Sequence, residues 1–120
     1  MQYSTIPGTQ GICPIGWHIP TQNELEGLAA IVIYDGNALK AIGQGTGNGA
    51  GTNASGFSAL LSGQCTAFAF YNLGFNSHLW SSSEYDTNFG WGWELYYDSS
   101  SIVYSNYNKN GGLCVRCIKD

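Results

Sequence analysis

The chain has 120 residues, of which 43% are hydrophobic, 14% aromatic and only 10% charged, and its net charge is -4. This length suits a single domain over residues 1–120, and the many aromatic residues argue against intrinsic disorder. Three lysines and one arginine form no basic stripe, which excludes nucleic-acid binding and adhesion through a polybasic patch. No apolar run reaches the ~20 residues that span a bilayer, so we expect no membrane insertion by this domain.

The N-terminal stretch, residues 1–20, is predicted to be extended and turn-rich because prolines at positions 7, 14 and 20 break helices. Its first residues, Met1-Gln2-Tyr3, lack the basic and apolar regions of a signal peptide, so we interpret the sequence as a mature or trimmed form. Thr21 and Glu24 then predict a capping box at the start of a helix that ends at Asp35-Gly36. The apolar face of this helix comprises Leu25, Leu28, Ala29 and Val32.

After this helix, the residue composition changes from one typical of helices to one typical of strands. A second, short helix is predicted from Asn37, as its cap, to Ile42, and residues 43–56 form a glycine-rich loop. That loop has no lysine, so it is not a phosphate-binding loop, and we expect a flexible surface loop. Strand-like runs follow at 57–61, 65–71, 78–83, 89–97, 102–106 and 113–118. The order predicts an α+β fold with helices to one side of an antiparallel sheet.

The cysteines point to an oxidising compartment. An even number of them in a small, charge-poor chain favours disulfides, although free buried thiols and a zinc site remain alternatives. Zinc is disfavoured because one C-x-x-C stands without a second ligand pair and both histidines are isolated. We therefore expect no metal and no cofactor. The four cysteines are Cys13, Cys65, Cys114 and Cys117.

Individual residues give no sign of catalysis. Trp17 and Trp80 are predicted to anchor the core, His18 to be a hydrogen-bonded structural residue, and His78 to begin a strand with partial exposure. No cysteine has a local signature of a nucleophile, and a glycosidase would need two acids flanking a cleft. We therefore predict a protein that is not an enzyme. The concentrated acids are Glu84, Asp86, Glu94 and Asp98.

Residues 85–110 are the candidate binding segment, since 15 of these 26 residues are Tyr, Asn, Ser or Asp. This composition is typical of antibody paratopes, although an ordinary polar sheet remains the alternative. Strand alternation predicts two faces for residues 91–98. The residues expected to point to the core are Trp91, Trp93, Leu95 and Tyr97, and those expected to point outward are Gly92, Glu94, Tyr96 and Asp98. On the next strand, Tyr104 and Asn106 are expected to point outward and Val103 inward. If Trp93 is instead exposed beside Tyr96, the pair forms a stacking platform for a sugar ring. The candidate ligand contacts are Tyr85, Asp86, Asn88, Trp93, Glu94, Tyr96, Asp98, Tyr104, Asn106 and Tyr107.

Three segments resemble a known family when they are taken in order. They are Cys13-Pro14-Ile15-Gly16-Trp17-His18-Ile19-Pro20-Thr21, Ser55-Gly56-Phe57-Ser58-Ala59-Leu60, and Leu79-Trp80-Ser81-Ser82-Ser83-Glu84-Tyr85 with the closing Val115-Arg116-Cys117-Ile118-Lys119-Asp120. Their order and spacing resemble the Fibrobacter succinogenes major paralogous domain of bacterial surface and secreted proteins. The resemblance implies a C-type lectin-like fold, with a twisted antiparallel sheet and two helices, a surface location, a binding role and no established catalysis.

The same resemblance implies a disulfide between Cys13 and Cys117 that joins the chain ends. Closing a loop of ~100 residues is worth about 4–5 kcal/mol in the chain-entropy model. Cys65 and Cys114 depart from the family pattern, and their joint appearance leads to the hypothesis of a second bridge, Cys65–Cys114.

Three functions follow as expectations. The first is a bacterial or phage recognition domain, extracellular or on the cell surface, that binds a protein or glycan on another surface. The second is a calcium-independent carbohydrate-binding module, since the Glu-Pro-Asn and Trp-Asn-Asp signatures of calcium-dependent lectins are missing. The third is an enzyme resembling the sulfatase-modifying branch of related folds, which needs reactive cysteines. The segment is also similar to proteins whose asparagine codons a retroelement diversifies, at Tyr85, Asp86, Thr87, Phe89, Tyr96, Asp98, Tyr104 and Tyr107.

Overall fold

A computed structural model describes residues 6–120, so the first five residues of the predicted turn-rich stretch lie outside the described residues. The architecture is mixed α and β, with two helices, antiparallel sheets and one disulfide between described cysteines. The helices are α1, Gln22–Ile31, and α2, Gly36–Leu39, and a single 3-10 turn spans Gly47–Gly49. The strands are β1 Trp17–His18, β2 Gln64–Cys65, β3 Phe70–Tyr71, β4 Asn76–Glu84, β5 Phe89–Tyr96, β6 Ile102–Asn108 and β7 Ile118–Lys119.

Helix α1 begins where the sequence predicts it. The Thr21 hydroxyl accepts a hydrogen bond from the Glu24 amide at 3.2 Å, and the Glu24 carboxylate accepts one from the Thr21 amide at 2.8 Å. This reciprocal pair satisfies two backbone donors that the first helical turn leaves free. The predicted apolar face is confirmed. Leu25 and Ala29 are buried, and Leu28 and Val32 are partly buried and pack against the core.

The chain leaves α1 earlier than predicted. The helix ends at Ile31, because Ile33 and Tyr34 take left-handed φ angles of 54° and 57° that no helix can contain. The cap of α2 is Asp35, whose carboxylate accepts from the Asn37 amide at 2.9 Å, so the prediction of Asn37 as the cap is wrong. An aspartate at this position competes well for the cap because its side chain reaches the amide two residues on.

The central sheet contains β4, β5 and β6 in that order, all antiparallel. Its three strands confirm the predicted runs 78–83, 89–97 and 102–106 to within a few residues. One face packs on α1, where the core joins helical Leu25 and Ala29 to Leu79, Trp93 and Leu95 of the sheet. Since residues paired across antiparallel strands share a face, the strand register determines which side chains point away from this core.

Two other predicted strands are much reduced. Residues 57–61 contribute only one bridge, between Ala59 and Lys40, and 113–118 contribute a bridge from Cys114 to Leu79 followed by the short β7. The predicted strand 65–71 is a small hairpin of β2 and β3. Aromatic and β-branched residues in these runs therefore line loops rather than continuous ladders, which composition alone does not distinguish.

The two ends of the described chain are joined. Strand β1 pairs with β7, and the Cys13–Cys117 disulfide closes beside them with a Cα–Cα distance of 5.9 Å. The pairing that the family resemblance implies is thus present. Trp17, on β1, is 39% exposed, so its predicted place in the core is wrong, whereas Trp80 is buried as predicted. A two-stranded ribbon at the edge of the fold has no layer above it to cover an indole ring.

The second bridge, Cys65–Cys114, is wrong, because both thiols are free. Cys65 lies directly opposite Gly112 in an antiparallel bridge, which makes Cys114 a diagonal neighbour. Diagonal neighbours are about 7–8 Å apart, beyond the roughly 4.4–6.8 Å between Cα atoms that a disulfide spans. The two sulfurs bond elsewhere: Cys114 Sγ lies 2.9 Å from the Ser62 hydroxyl, and Cys65 Sγ contacts the Thr66 carbonyl oxygen.

Replacing Cys13 and Cys117 together by serine is expected to lower the free energy of unfolding by about 4–5 kcal/mol, because it frees a loop of 104 residues in the unfolded chain. Urea denaturation measures the change, and Cys65→Ser is the matched control, which is expected to cost little. Ellman titration of the unreduced, denatured chain should find two thiols. Finding none would restore the second bridge.

A buried cation fixes the glycine-rich loop. The Lys40 side chain is fully buried, and its ammonium group donates to three backbone carbonyls, those of Gly49, Tyr96 at 2.6 Å and Ser99 at 2.9 Å. Burial lowers the pKa of Lys40, and the nearby carboxylates of Asp35 and Asp98 oppose that change. The loop that composition marks as flexible is therefore anchored to the end of β5.

Gly49 makes this close approach possible. A Cβ atom at Gly49 would collide with the Tyr97 carbonyl oxygen and the Ser99 amide, so the loop backbone reaches the β5–β6 turn only without a side chain. The Thr46 amide adds a hydrogen bond of 2.7 Å to the Tyr97 carbonyl. The turn after β5 is thus held by backbone contacts from a segment some 50 residues earlier.

Lys40→Met is expected to destabilise the domain by about 3 kcal/mol, because the buried Gly49 carbonyl and the partly buried carbonyls of Tyr96 and Ser99 lose their ammonium donor. Thermal or urea unfolding measures the loss, and Lys119→Met, at an exposed lysine of β7, is the matched control. An equal effect of the two substitutions would contradict the anchoring role of Lys40.

Candidate functional site

The outer face of the sheet, opposite α1, holds a carboxylate surrounded by polar side chains. The Glu94 carboxylate on β5 lies 3.0 Å from His78 Nε2 on β4 and accepts a hydrogen bond from the side-chain amide of Asn76. Its other oxygen accepts from the Tyr107 hydroxyl of β6 at 3.3 Å. The Glu94 side chain keeps 13% of its surface exposed, so the cluster is open at one side. We call Asn76, Glu94, Tyr96 and Tyr107 the outer-face cluster.

The two tyrosines of this cluster are held in defined positions. Tyr107 stands edge-on to His78 and to Trp80, with ring centroids 5.5 and 6.1 Å apart. Burial raises the pKa of the Tyr107 hydroxyl, and the Glu94 charge acts in the same direction. Burial also raises the pKa of Tyr96 to about 12, again with help from Glu94. Both hydroxyls stay protonated and can donate hydrogen bonds across the physiological range.

Trp93 and Tyr104 do not belong to this surface. Trp93 is fully buried, which confirms its predicted direction but removes it as a ligand contact and as a stacking platform beside Tyr96. Tyr104 is paired opposite Trp93, so it lies on the core face, where the two rings meet edge-on at 5.6 Å. The prediction that Tyr104 points outward with Tyr96 is therefore wrong.

The same pairing corrects the other positions predicted on β6. Asn106 lies opposite Trp91 and so shares the core-side parity, although the residue itself is exposed near the strand end. Val103 lies opposite Glu94 and belongs to the outer face, so its predicted inward direction is wrong as well. Asp98 is exposed in the turn after β5, beyond the alternation of the strand.

A third group of predicted contacts lies at the β4–β5 turn. Tyr85, Asp86 and Asn88 are all exposed there. The Asp86 carboxylate accepts hydrogen bonds from the backbone amides of Asn88 and Phe89 at 2.8 and 2.9 Å. One of its oxygens, Oδ1, is therefore used to stabilise the turn. The Tyr85 ring meets Trp91 edge-on at 5.0 Å. This turn is a separate surface from the outer-face cluster.

Composition did not indicate the exposed aromatic side chains of the β2–β3 region. Phe68 is 98% exposed and Phe70 is 85% exposed, and Tyr71, Leu73 and Phe75 are exposed too. We call residues 66–75 the aromatic hairpin. A sequence signal exists in hindsight, because no Asp, Glu, Lys or Arg occurs between Lys40 and Glu84. Several large apolar side chains exposed within one short segment are typical of an interaction site.

The hairpin lies next to the outer-face cluster. The backbone amide of Asn76 donates to the Asn72 carbonyl of the hairpin at 3.0 Å, and the Phe75 ring meets Tyr97 edge-on at 5.1 Å. A hollow of about 280 Å³ is lined by Tyr107 on one side and by Thr66 and Ala67, at the start of the hairpin, on the other. Polar tyrosines and apolar phenylalanines thus adjoin on one side of the domain.

The two histidines have opposite environments. His18 is hydrogen-bonded as predicted, to Asp120 at 2.6 Å and to Glu24 at 3.1 Å, and the Asp120 bond raises its pKa against the effect of burial. His78 is only 2% exposed, so its predicted partial exposure is wrong. Burial lowers the pKa of His78, and the neighbouring Glu94 opposes that change.

Imidazole NMR titration is expected to place the pKa of His18 above the ordinary value of about 6.5 and that of His78 below it. The His18 contribution to stability is fully present below about pH 6.5 and is lost as the pH rises through its raised pKa. The His78 contribution changes in the opposite direction: stability falls as the pH drops below about 6.5, because the imidazole is protonated in the unfolded chain before it is protonated in the folded one. Similar pKa values for the two rings would contradict these environments.

The remaining candidates for chemistry are the acidic side chains and the two free thiols. Among the described residues, no three His, Cys, Asp or Glu side chains are grouped so that they could hold a metal ion. The free thiols of Cys65 and Cys114 contact a carbonyl and a hydroxyl, and neither is hydrogen-bonded to an imidazole or carboxylate within residues 6–120. A thiolate nucleophile needs such a base or cation beside it.

Comparisons with known proteins gave one match. The model of the Fibrobacter succinogenes major domain matches residues 2–119. No curated protein and no solved structure matches the chain. In the described part of the chain, every helix is too short or too polar to cross a lipid bilayer.

Proposed function

The chain belongs to the Fibrobacter succinogenes major domain family, and on that premise we propose that it is a recognition domain that binds a protein on another surface. The observation that carries the proposal is the contact between the outer-face cluster and the aromatic hairpin. Together they present hydroxyl and amide groups, one carboxylate and several exposed aromatic rings on one side of a rigid sheet.

The chemistry of this surface favours a protein ligand. Aromatic residues are enriched in the centre of protein interfaces, where they exclude water, and polar groups at the rim fix the orientation. The hairpin supplies exposed phenylalanines, and Tyr96 and Tyr107 supply donors that Glu94 orients. Tyrosine also loses little conformational entropy on binding because it has few rotatable bonds.

We propose that the fold is C-type lectin-like and that the domain is extracellular. The disulfide between Cys13 and Cys117 and the β1–β7 pair support both parts of this proposal. They join the ends of the chain beside the two-helix, antiparallel-sheet body, and a disulfide persists in an oxidising compartment.

A calcium-independent carbohydrate-binding module has less support. Its main feature was an exposed Trp93 beside Tyr96, and Trp93 is fully buried. The exposed rings belong to two other elements, Tyr85 to the β4–β5 turn and Phe68 and Phe70 to the aromatic hairpin, and not to the strand that carries Tyr96. Sugar recognition therefore stands as the competing outcome of the binding test.

Diversification by a retroelement is supported by only part of the segment. Tyr85, Asp86, Thr87 and Tyr96 have surface that a ligand can touch. Tyr104, however, packs edge-on to Trp93, and random exchange at that position would damage the core. We propose variability at the exposed positions alone.

The proposal is tested with arrays of extracellular proteins and of glycans, probed in the presence of a calcium chelator. Binding to a purified protein is expected, and Tyr96→Ala or Phe70→Ala should weaken the affinity at least roughly tenfold, the usual size of an effect at the centre of an interface. The affinity for the protein found is measured by calorimetry.

Tyr34→Ala is the matched control, since Tyr34 is 61% exposed and lies at the end of α1 away from this surface. It should bind like the wild type. Equal losses in all three variants, or binding only to glycans, would contradict a protein-binding outer face.

A further inference from the structure

A second recess lies at the edge of β4 that faces away from β5. It has a volume of about 580 Å³, and it separates α1 from the C-terminal residues. Leu28 and Ile31 of α1 form one wall, Leu79 and Trp80 form the floor, and Ile118 of β7 forms the opposite wall. We call this recess the helix groove. Its size falls within the range of small-molecule sites, which are mostly apolar with a few placed polar groups.

One cation that lines the helix groove has no ion-pair partner among the described residues. Arg116 lies over the Phe57 ring at 5.0 Å, is exposed, and makes no ion pair with any residue in the described range 6–120. Glu24 also lines the groove, and its carboxylate accepts a hydrogen bond from the Thr21 amide and pairs with His18. Of these two charged side chains in the lining, Glu24 is therefore paired among the described residues and Arg116 is not.

We infer that the helix groove binds an aliphatic carboxylate of medium length, with its carboxylate at Arg116 and its chain along α1. The guanidinium group is the side chain best suited to a carboxylate, because it offers parallel N–H donors. The chain removes the exposed surface of Ile31, which is 79% exposed and otherwise faces water on the open side of the groove. The lining of the groove includes no residue of the outer-face cluster, and the inference goes beyond the proposed function.

The Arg116 guanidinium group, which has no ion-pair partner among the described residues, decides between classes of occupant. An aliphatic amine would leave Arg116 facing a like charge, and a neutral alcohol would gain only the apolar contacts. The Phe57 ring holds the guanidinium group at the mouth of the groove, so the cation is positioned before a ligand arrives. A carboxylate is the group that uses both the apolar walls and the charge.

The inference is tested by titrating the full chain with octanoate and with 1-octanol, below any micelle concentration. Octanoate is expected to shift the indole N–H signals of Trp17 and Trp80, both of which line the groove, in a ¹H–¹⁵N NMR spectrum. Arg116→Gln should weaken octanoate binding roughly tenfold and leave octanol binding unchanged. Equal affinities of octanoate and octanol for the wild type would overturn the proposal.

A matched pair of variants locates the site. Ile31→Glu and Ile42→Glu place the same charge at isoleucines of similar exposure, 79% and 78%, but only Ile31 lines the groove. Ile31→Glu should lose octanoate binding at least roughly tenfold, and Ile42→Glu should retain it. Loss in both variants, or a wild-type dimer that Ile31→Glu dissociates, would overturn the proposal, and the amide spectrum of each variant reports whether it is folded.

Discussion

The ammonium group of Lys40 is the interaction on which the order of the β5–β6 region depends. It lies in the interior with three backbone carbonyls around it, contributed by the glycine-rich loop and by the end of β5 and the turn that follows. An ion in the interior is tolerated only if its donors are satisfied, so the lysine holds these segments together as a bound metal cation would. Tyr96 carries one of the three carbonyls, which connects this anchor to the outer face.

The sheet separates two kinds of surface through the alternation of its side chains. One face buries Trp93 and Leu95 against α1, and the other carries Glu94 and the polar groups that surround it. Burying His78 next to a carboxylate has a desolvation cost, which the hydrogen bonds from Asn76 and Tyr107 to the same carboxylate offset. The outer face is consequently rigid, and rigidity reduces the entropy lost when a ligand binds.

Sequence patterns were sufficient where the physical cause is local. The capping box at Thr21 and the alternation along β5 need only neighbouring residues, and both were predicted correctly. The phase between β5 and β6 was not predictable, because it depends on how the turn of residues 97–101 sets Leu95 opposite Ile102. A shift of one residue in that pairing exchanges the two faces, which is why Tyr104 was assigned to the wrong side. Lys40 gave no signal either, since a lone lysine is ordinarily exposed.

The aromatic hairpin also affects how the free domain behaves at high concentration. The exposed phenylalanines of the hairpin lie in a stretch where no charged residue occurs between Lys40 and Glu84, so no charge near them repels a neighbouring molecule. The net charge of -4 resides elsewhere on the chain and keeps molecules apart only at longer range. Colloidal stability of the domain therefore depends on ionic strength, because added salt screens the charge repulsion while the apolar attraction between aromatic hairpins of neighbouring molecules remains.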